Sequence, residues 1–194
     1  PGETFSAAGH TLVRSHTREA TPGKVWAHDP VTELRRDLNR EESQAFWAFA
    51  AVEVLRSTGV RIEELTELSH HSLIQYRLPT TGELVPLLQI APSKTDAERL
   101  LLVSPELADV LSAMISRIRN NTTGAVPLVP AFDLHERTWL PPAPLLFQRH
   151  IGSENQAIGP RQIRDMLTKA LSATGLIDHA TGDPLRFTPH DFRR

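Results

Sequence analysis

The stretch of this sequence with the most chemical information is Thr188-Pro189-His190-Asp191-Phe192-Arg193-Arg194. Threonine is a good helix N-cap, proline is a good first helical residue, and Asp191 has the spacing of a capping-box acid. The pattern predicts a helix start that presents His190 and Arg193 on one face. A helix N-terminus attracts phosphate, and an arginine fork binds it with two hydrogen bonds. A histidine beside that arginine can bind the phosphate or move a proton.

Two earlier segments contain side chains that suit the same ligand. Arg61 follows a helix-stopping glycine in Thr58-Gly59-Val60-Arg61-Ile62-Glu63-Glu64-Leu65, and Lys94 lies in the polar turn Pro92-Ser93-Lys94-Thr95. Taken singly, each residue has an ordinary explanation: a surface ion pair for Arg61, a solvated lysine for Lys94, and a capping or packing role for His190. Only their occurrence together favours a phosphate-directed site.

In this order, the three segments resemble the tyrosine recombinases (the phage-integrase family) over roughly residues 38–194. His190-x-x-Arg193 resembles the second conserved box of that family, the segment around Arg61 resembles the first, and Lys94 lies where the family has a catalytic lysine. The resemblance implies four catalytic residues. Arg61 and Arg193 would stabilise charge on the non-bridging phosphate oxygens, and Lys94 would protonate the leaving 5′-oxygen. His190 would hydrogen-bond the phosphate or assist proton transfer.

The resemblance also implies the reaction and the partners. A recombinase, integrase or transposase of a mobile element would break and rejoin double-stranded DNA through a 3′-phosphotyrosyl intermediate, as four protomers on two DNA sites. It would use no cofactor, metal ion or small-molecule substrate, and it would work in the cytoplasm, on the nucleoid when bound to DNA. The family's nucleophilic tyrosine follows the second box, whereas the one tyrosine here, Tyr76, precedes Lys94. We therefore expect the nucleophile downstream of Arg194 and no DNA cleavage by this chain alone.

Hydrophobic periodicity predicts the elements that position these residues. Helices are expected from Asn39, as a capping residue, to Gly59, over residues 62–68, from Ser104 to about residue 120, and from residue 160 to Gly175. Strands over residues 73–78, 84–90 and 99–103 predict an antiparallel meander. The expected fold class is α+β, mainly α-helical with one small three-stranded antiparallel sheet, and the resemblance implies the tyrosine-recombinase catalytic-domain fold.

Composition and turn formers suggest how the chain is divided. Residues 1–38 are polar and predict a linker or the tail of an upstream DNA-binding domain, while residues 39–194 predict a partial catalytic domain with a proline-rich insertion at 121–158. The absence of cysteine excludes disulfides and thiolate metal sites and fits a reducing cytoplasm. No apolar run is long enough to span a bilayer. A net charge of -2 does not favour DNA binding, but the charges are unevenly distributed.

Other functions stay open at this point. A non-catalytic DNA-binding relative would keep the phosphate-directed residues without a downstream tyrosine. A helical protein-interaction domain would dock a partner on its proline-rich segment, and Arg61, Lys94 and Arg193 would then not converge. Type IB topoisomerases share the phosphotyrosyl chemistry and are set aside only on general resemblance.

Overall fold

The computed structural model describes residues 2–7, 9–16, 23–92, 97–133 and 136–192. The chain divides into two compact units, Pro1–Phe46 and Trp47–Arg194. Each unit is built around its own buried side chains. No helix in the described ranges is both long and apolar enough to cross a membrane.

The first unit contains a four-stranded antiparallel sheet with its strands in chain order. Gly9, at a φ of 78°, lies in the turn between the first two strands, a conformation that glycine adopts without steric cost. Leu12 and Ala27 are fully buried. The strands are β1 (Thr4–Ala7), β2 (His10–Arg14), β3 (Trp26–His28) and β4 (Arg35–Asp37).

Helix α1 (Leu38–Thr58) begins in the first unit and ends in the second. Asp37, rather than the predicted Asn39, caps it, since the Asp37 carboxylate accepts the N–H of Arg40 at 3.1 Å. The Asn39 side chain is used elsewhere: its oxygen accepts the N–H of Val25 at 2.6 Å and its amide donates to the carbonyl of Gly23 at 3.0 Å. A tertiary contact has therefore displaced the local cap.

Three more helices belong to the second unit, and their ends agree with the sequence signals. Ser104 accepts the N–H of Leu107 at 3.2 Å, which confirms it as a cap. Gly59 and Gly175 have φ values of 63° and 67°, which confirms both as helix stops. The helices are α2 (Ile62–Glu67), α3 (Pro105–Ile118) and α4 (Pro160–Thr174).

The predicted meander is present as a three-stranded antiparallel sheet of β5 (Leu73–Arg77), β6 (Leu84–Ile90) and β7 (Arg99–Leu102). Leu88 and Ile90 of β6 are buried, and Ile90 pairs with Arg99 of β7, so Arg99 lies on the core-facing side of the sheet. Tyr76 pairs with Val85 and is exposed on the opposite face.

Residues 121–158 contain two short hairpins and part of the core. The segment is held by backbone hydrogen bonds, including His70 N–H to the Pro144 carbonyl and Leu146 N–H to the Leu68 carbonyl, both 2.8 Å. Phe147 is fully buried with its ring centroid 5.7 Å from that of Trp47. The hairpin strands are β8 (Phe132–Asp133), β9 (Thr138–Trp139), β10 (Gln148–Ile151) and β11 (Glu154–Ala157).

The predicted fold class, mainly α-helical with one three-stranded sheet in the tyrosine-recombinase catalytic-domain fold, is wrong. The structure is mixed, with 35% helix and 28% strand, and its described residues form four helices and four small antiparallel sheets. The additional strands lie in the polar first forty residues and in the proline-rich segment. They are two to five residues long, which is too short for alternation to stand out in sequence. Turns and inter-strand hydrogen bonds form them instead.

Candidate functional site

Arg61 lies between two helices, at a position fixed on both sides. Helix α1 ends at Thr58, Gly59 turns the chain in the left-handed conformation, and Val60 is fully buried. Arg61 then has an extended backbone, with φ -72° and ψ 157°, as the N-cap of α2. The buried Val60 and the start of α2 leave the Arg61 side chain partly open to solvent, with 32% of it exposed.

The carboxylate of Glu64, in the first turn of α2, organises this position. Its Oε2 accepts the backbone N–H of Arg61 at 2.8 Å, which satisfies a free donor at the helix start. Its Oε1 lies 3.7 Å from Nη1 of Arg61, beyond hydrogen-bonding distance. Only 1% of the Glu64 side chain is exposed, and a carboxylate so buried requires a positive partner.

Arg99 supplies a second positive charge to the same carboxylate. Its Nη2 donates to Oε2 of Glu64 at 2.6 Å, across 35 residues of sequence. Arg99 begins β7, so this contact joins the sheet to the start of α2. One carboxylate therefore lies between two guanidinium groups, and the cluster Arg61–Glu64–Arg99 has a formal charge of one positive unit.

The segment in which the sequence predicted a phosphate-binding histidine and arginine contains a 3₁₀ turn at Pro189–Phe192. The predicted capping role of Asp191 is confirmed: its Oδ2 accepts the Thr188 N–H at 2.6 Å and the Thr188 hydroxyl at 2.9 Å. The N–H bond from Thr188 is the main reason that the pKa of Asp191 lies below its ordinary range, and the hydroxyl bond acts in the same direction. Pro189 is buried and His190 is exposed, so the turn presents its histidine to solvent.

The structure brings the two segments to one surface depression. Residues 56–59, at the end of α1, and residues 191–192, at the C-terminal turn, line a space of about 470 Å³. Arg61 follows the first lining stretch by two positions, and His190 precedes the second by one. These two segments lie far apart in the sequence and line one depression only because the chain folds.

Of the four predicted catalytic residues, the structure places two. Arg61 and His190 lie within two positions, in sequence, of residues that line the depression, but neither of them lines it. Lys94 and Arg193 lie outside the described residues. Tyr76 lies on the outer face of the three-stranded sheet.

Acidic side chains near α2 define a second electrostatic feature. Glu63 pairs with Arg164 of α4 at 3.5 Å. The pKa of Glu67 is raised, first by desolvation and then by the negative charges of Asp133, Glu64 and Glu63.

Among the described residues, no three His, Asp or Glu side chains are close enough together to hold a metal ion.

Sequence reasoning did not single out Glu64 and Arg99. Glu64 has a detectable signal, since an acid three positions after a helix N-cap has capping-box spacing. Arg99 has a weaker signal: alternation along β7 places it on the same face as Leu101, where a charge requires a buried partner. The pairing of the two residues could not be predicted, because it depends on how the sheet packs against α2.

Comparison with protein-family models, with curated proteins and with solved structures finds no match for this chain. The functional assignment therefore depends on its residues and their arrangement.

Proposed function

We propose that this chain provides the phosphate-binding part of a site-specific DNA recombinase of the tyrosine type. The full-length protein would break and rejoin DNA strands through a 3′-phosphotyrosyl intermediate. The observation that supports this most is the depression shared by residues 56–59 and 191–192, because it brings the surroundings of Arg61 and His190 to one place.

The chemistry needs positive charge that is already in position. A tyrosine hydroxyl attacks phosphorus, the bond to the 5′-oxygen breaks, and charge develops on the non-bridging oxygens. Arg61, fixed at the start of α2 and partly exposed, suits the stabilisation of that charge. In the proposal Arg193 is the second guanidinium, Lys94 gives a proton to the leaving oxygen, and His190 binds the phosphate or assists proton transfer. The released 5′-hydroxyl later attacks the phosphotyrosyl bond, so no energy source is consumed.

The proposed partners follow from this chemistry. They are double-stranded DNA and further protomers, four on two DNA sites, with no small molecule as substrate. The reaction would take place in the cytoplasm, where the protein would associate with the nucleoid through DNA.

A second candidate function is protein docking by residues 121–158. Trp139 is 67% exposed and packs edge-to-face on Phe132 at a centroid distance of 5.4 Å. An exposed aromatic pair on a short hairpin is typical of contact surfaces, since aromatic side chains bury a large area at low entropic cost. This candidate does not require Arg61 to bind DNA, which separates it from the first.

Arg61→Ala tests the leading proposal. We expect binding to a fluorescein-labelled 30-base-pair duplex, measured by anisotropy, to weaken by about ten-fold or more, because a charge-assisted hydrogen bond to phosphate is lost. The magnitude of the slope of log affinity against log salt concentration should decrease by about one, as expected for the loss of one phosphate contact. Arg119→Ala is the matched control, since Arg119 is exposed at the far end of α3. Equal affinities of the two variants, or no binding by the parent chain, would contradict the proposal.

The reading frame beyond Arg194 tests the catalytic part. A tyrosine downstream, trapped covalently on a nicked DNA substrate, would support the recombinase. A frame without a tyrosine would leave the non-catalytic DNA-binding relative.

A further inference from the structure

Arg149 is a partly buried arginine whose charge is not compensated by the part of the chain that the structure describes. It is the second residue of β10 and pairs with Gln156 of β11. Its Nε is buried without a hydrogen-bond partner. Within the described ranges, its guanidinium forms no ion pair and no hydrogen bond to any other residue.

The other partly buried arginines of the described ranges each lie close to a carboxylate. These pairs are Arg36–Glu41 at 2.6 Å, Arg61–Glu64 at 3.7 Å and Arg99–Glu64 at 2.6 Å. A guanidinium that loses part of its hydration requires such a counter-charge, because burial of an uncompensated charge is costly. Arg149 differs from them in this respect, and an anion from outside would supply what it lacks.

The strand that carries Arg149 is firmly held. The side chain of Gln148 is fully buried, and its Nε2 donates to the carbonyls of Leu145 at 2.7 Å and Pro127 at 3.0 Å. Successive side chains of a strand point to opposite faces, so the inward Gln148 directs Arg149 to the other face of the hairpin. A cation on a fixed strand binds a ligand at a lower entropic cost than one on a loose loop.

The charge around Arg149 is positive, although the whole chain has a net charge of -2. Residues 148–170, which form the hairpin and most of α4, contain four Lys or Arg residues and two Asp or Glu residues. Arg161 and Lys169 of α4 are exposed, and two residues separate β11 from this helix. A local excess of positive charge favours a polyanion over a single carboxylate as the ligand.

We propose that Arg149 binds a phosphate of the DNA backbone, as a contact additional to the four residues named for the reaction. A guanidinium can donate two parallel N–H bonds to phosphate, which would provide the missing counter-charge. Arg149 takes no part in the chemical steps. The choice of DNA as the ligand rests on the proposed function, whereas the anion site itself rests on the surroundings of Arg149.

Thermal stability separates a binding role from a structural one. Arg149→Met removes the charge but keeps a side chain of similar length, and no ion pair is lost with it. We therefore expect the Tm in circular dichroism melts to be equal to that of the parent or higher. Arg36→Met is the matched control and should lower the Tm, since it leaves Glu41 without its partner. A Tm that falls as far in Arg149→Met as in Arg36→Met would overturn the proposal.

Affinity for the fluorescein-labelled duplex should change in the opposite direction to stability. Arg149→Met should bind about ten-fold more weakly than the parent, and the magnitude of its salt slope should decrease by about one. Arg149→Lys keeps the charge without the fork, so its affinity should lie between the two and its salt slope should match that of the parent. Arg119→Met, at an exposed arginine, is the control for loss of charge alone. Equal affinities of Arg149→Met and Arg119→Met would overturn the proposal.

Inorganic sulfate provides a readout that needs no DNA. At constant ionic strength, replacement of chloride by sulfate should raise the Tm of the parent more than that of Arg149→Met, because an anion that binds the folded state stabilises it. If sulfate has this effect but the parent does not bind the duplex, the anion site stands and the proposed function fails. If Arg61→Ala weakens binding to the duplex and Arg149→Met does not, the role of Arg149 fails alone. Loss of binding to polyglutamate, with binding to the duplex unchanged in Arg149→Met, would also overturn it, in favour of an acidic protein partner.

Discussion

Replacement of Glu64 by alanine tests whether one buried carboxylate organises the start of α2. The substitution removes the acceptor of the Arg61 N–H, a cap-like hydrogen bond worth about 1 kcal/mol. It also removes the contact to Arg99 at 2.6 Å. A hydrogen bond to a charged group contributes about 1.5–3 kcal/mol, which falls to about 1–2 kcal/mol here because the Arg99 guanidinium retains part of its hydration.

The two losses together predict that Glu64→Ala lowers the free energy of unfolding by about 2–3 kcal/mol. For a chain of this size, that corresponds to a fall in Tm of about 4–12 °C. Circular dichroism melts at pH 7, with urea titrations to obtain the free energy, provide the measurement. Glu63→Ala is the matched control, because Glu63 is 46% exposed and its partner Arg164 lies at 3.5 Å in solvent. Such a surface pair contributes less than about 1 kcal/mol.

The result that refutes this reasoning is an equal change in the two variants. A Glu64→Ala protein as stable as Glu63→Ala would mean that the carboxylate costs as much to bury as its two partners return. The contacts of the carboxylate with the Arg61 N–H and with Arg99 would then contribute no net stability. Glu64→Gln should fall between the parent and Glu64→Ala, since its amide oxygen still accepts the Arg61 N–H.

Three further changes probe other parts of the molecule. Phe147→Ala should lower Tm by about 6–20 °C, because it empties a fully buried site against Trp47; an unchanged melt would show that the proline-rich segment is not packed in the core. The pKa of Asp191 lies below its ordinary 3.8, so its bonds to Thr188 persist above that pH and are lost as the pH falls through the folded value. The Thr188 amide signal should therefore move with acid in the parent and not in Asp191→Asn. The pKa of Glu67 lies above its ordinary 4.5, so the stability linked to its protonated form is fully present below 4.5 and is lost as the pH rises through the higher folded value. Glu67→Gln should raise Tm at pH 7 and leave it unchanged below pH 4.5, and a gain that persists in acid would exclude a charge effect.

Local signals in the sequence predicted local structure well. Gly59 and Gly175 stop helices because only glycine enters the left-handed conformation at little cost, and Ser104 caps a helix through its own side chain. Asn39 shows the limit of such signals. It has the right type for a cap, but its side chain binds the segment at Gly23 and Val25, and Asp37 caps the helix instead.

The short strands could not be predicted for a different reason. The hairpin of β8 and β9 has two residues in each strand, and an alternating pattern does not develop over that length. The structure of these regions is determined instead by strand pairing in chain order, by turns such as the one at Gly9, and by the burial of Phe147. The prediction of a mainly helical chain failed there.

The sequence by itself determined which residue types are available for phosphate chemistry and where most helices begin and end. Arg61 after a glycine stop and His190 in a capped turn follow from spacing and side-chain chemistry alone. Only the tertiary structure decided that the ends of these two segments border one depression. Only it could pair Glu64 with Arg99, because that contact joins a helix to a strand 35 residues away, and the energy of a buried charge depends on what the fold places beside it.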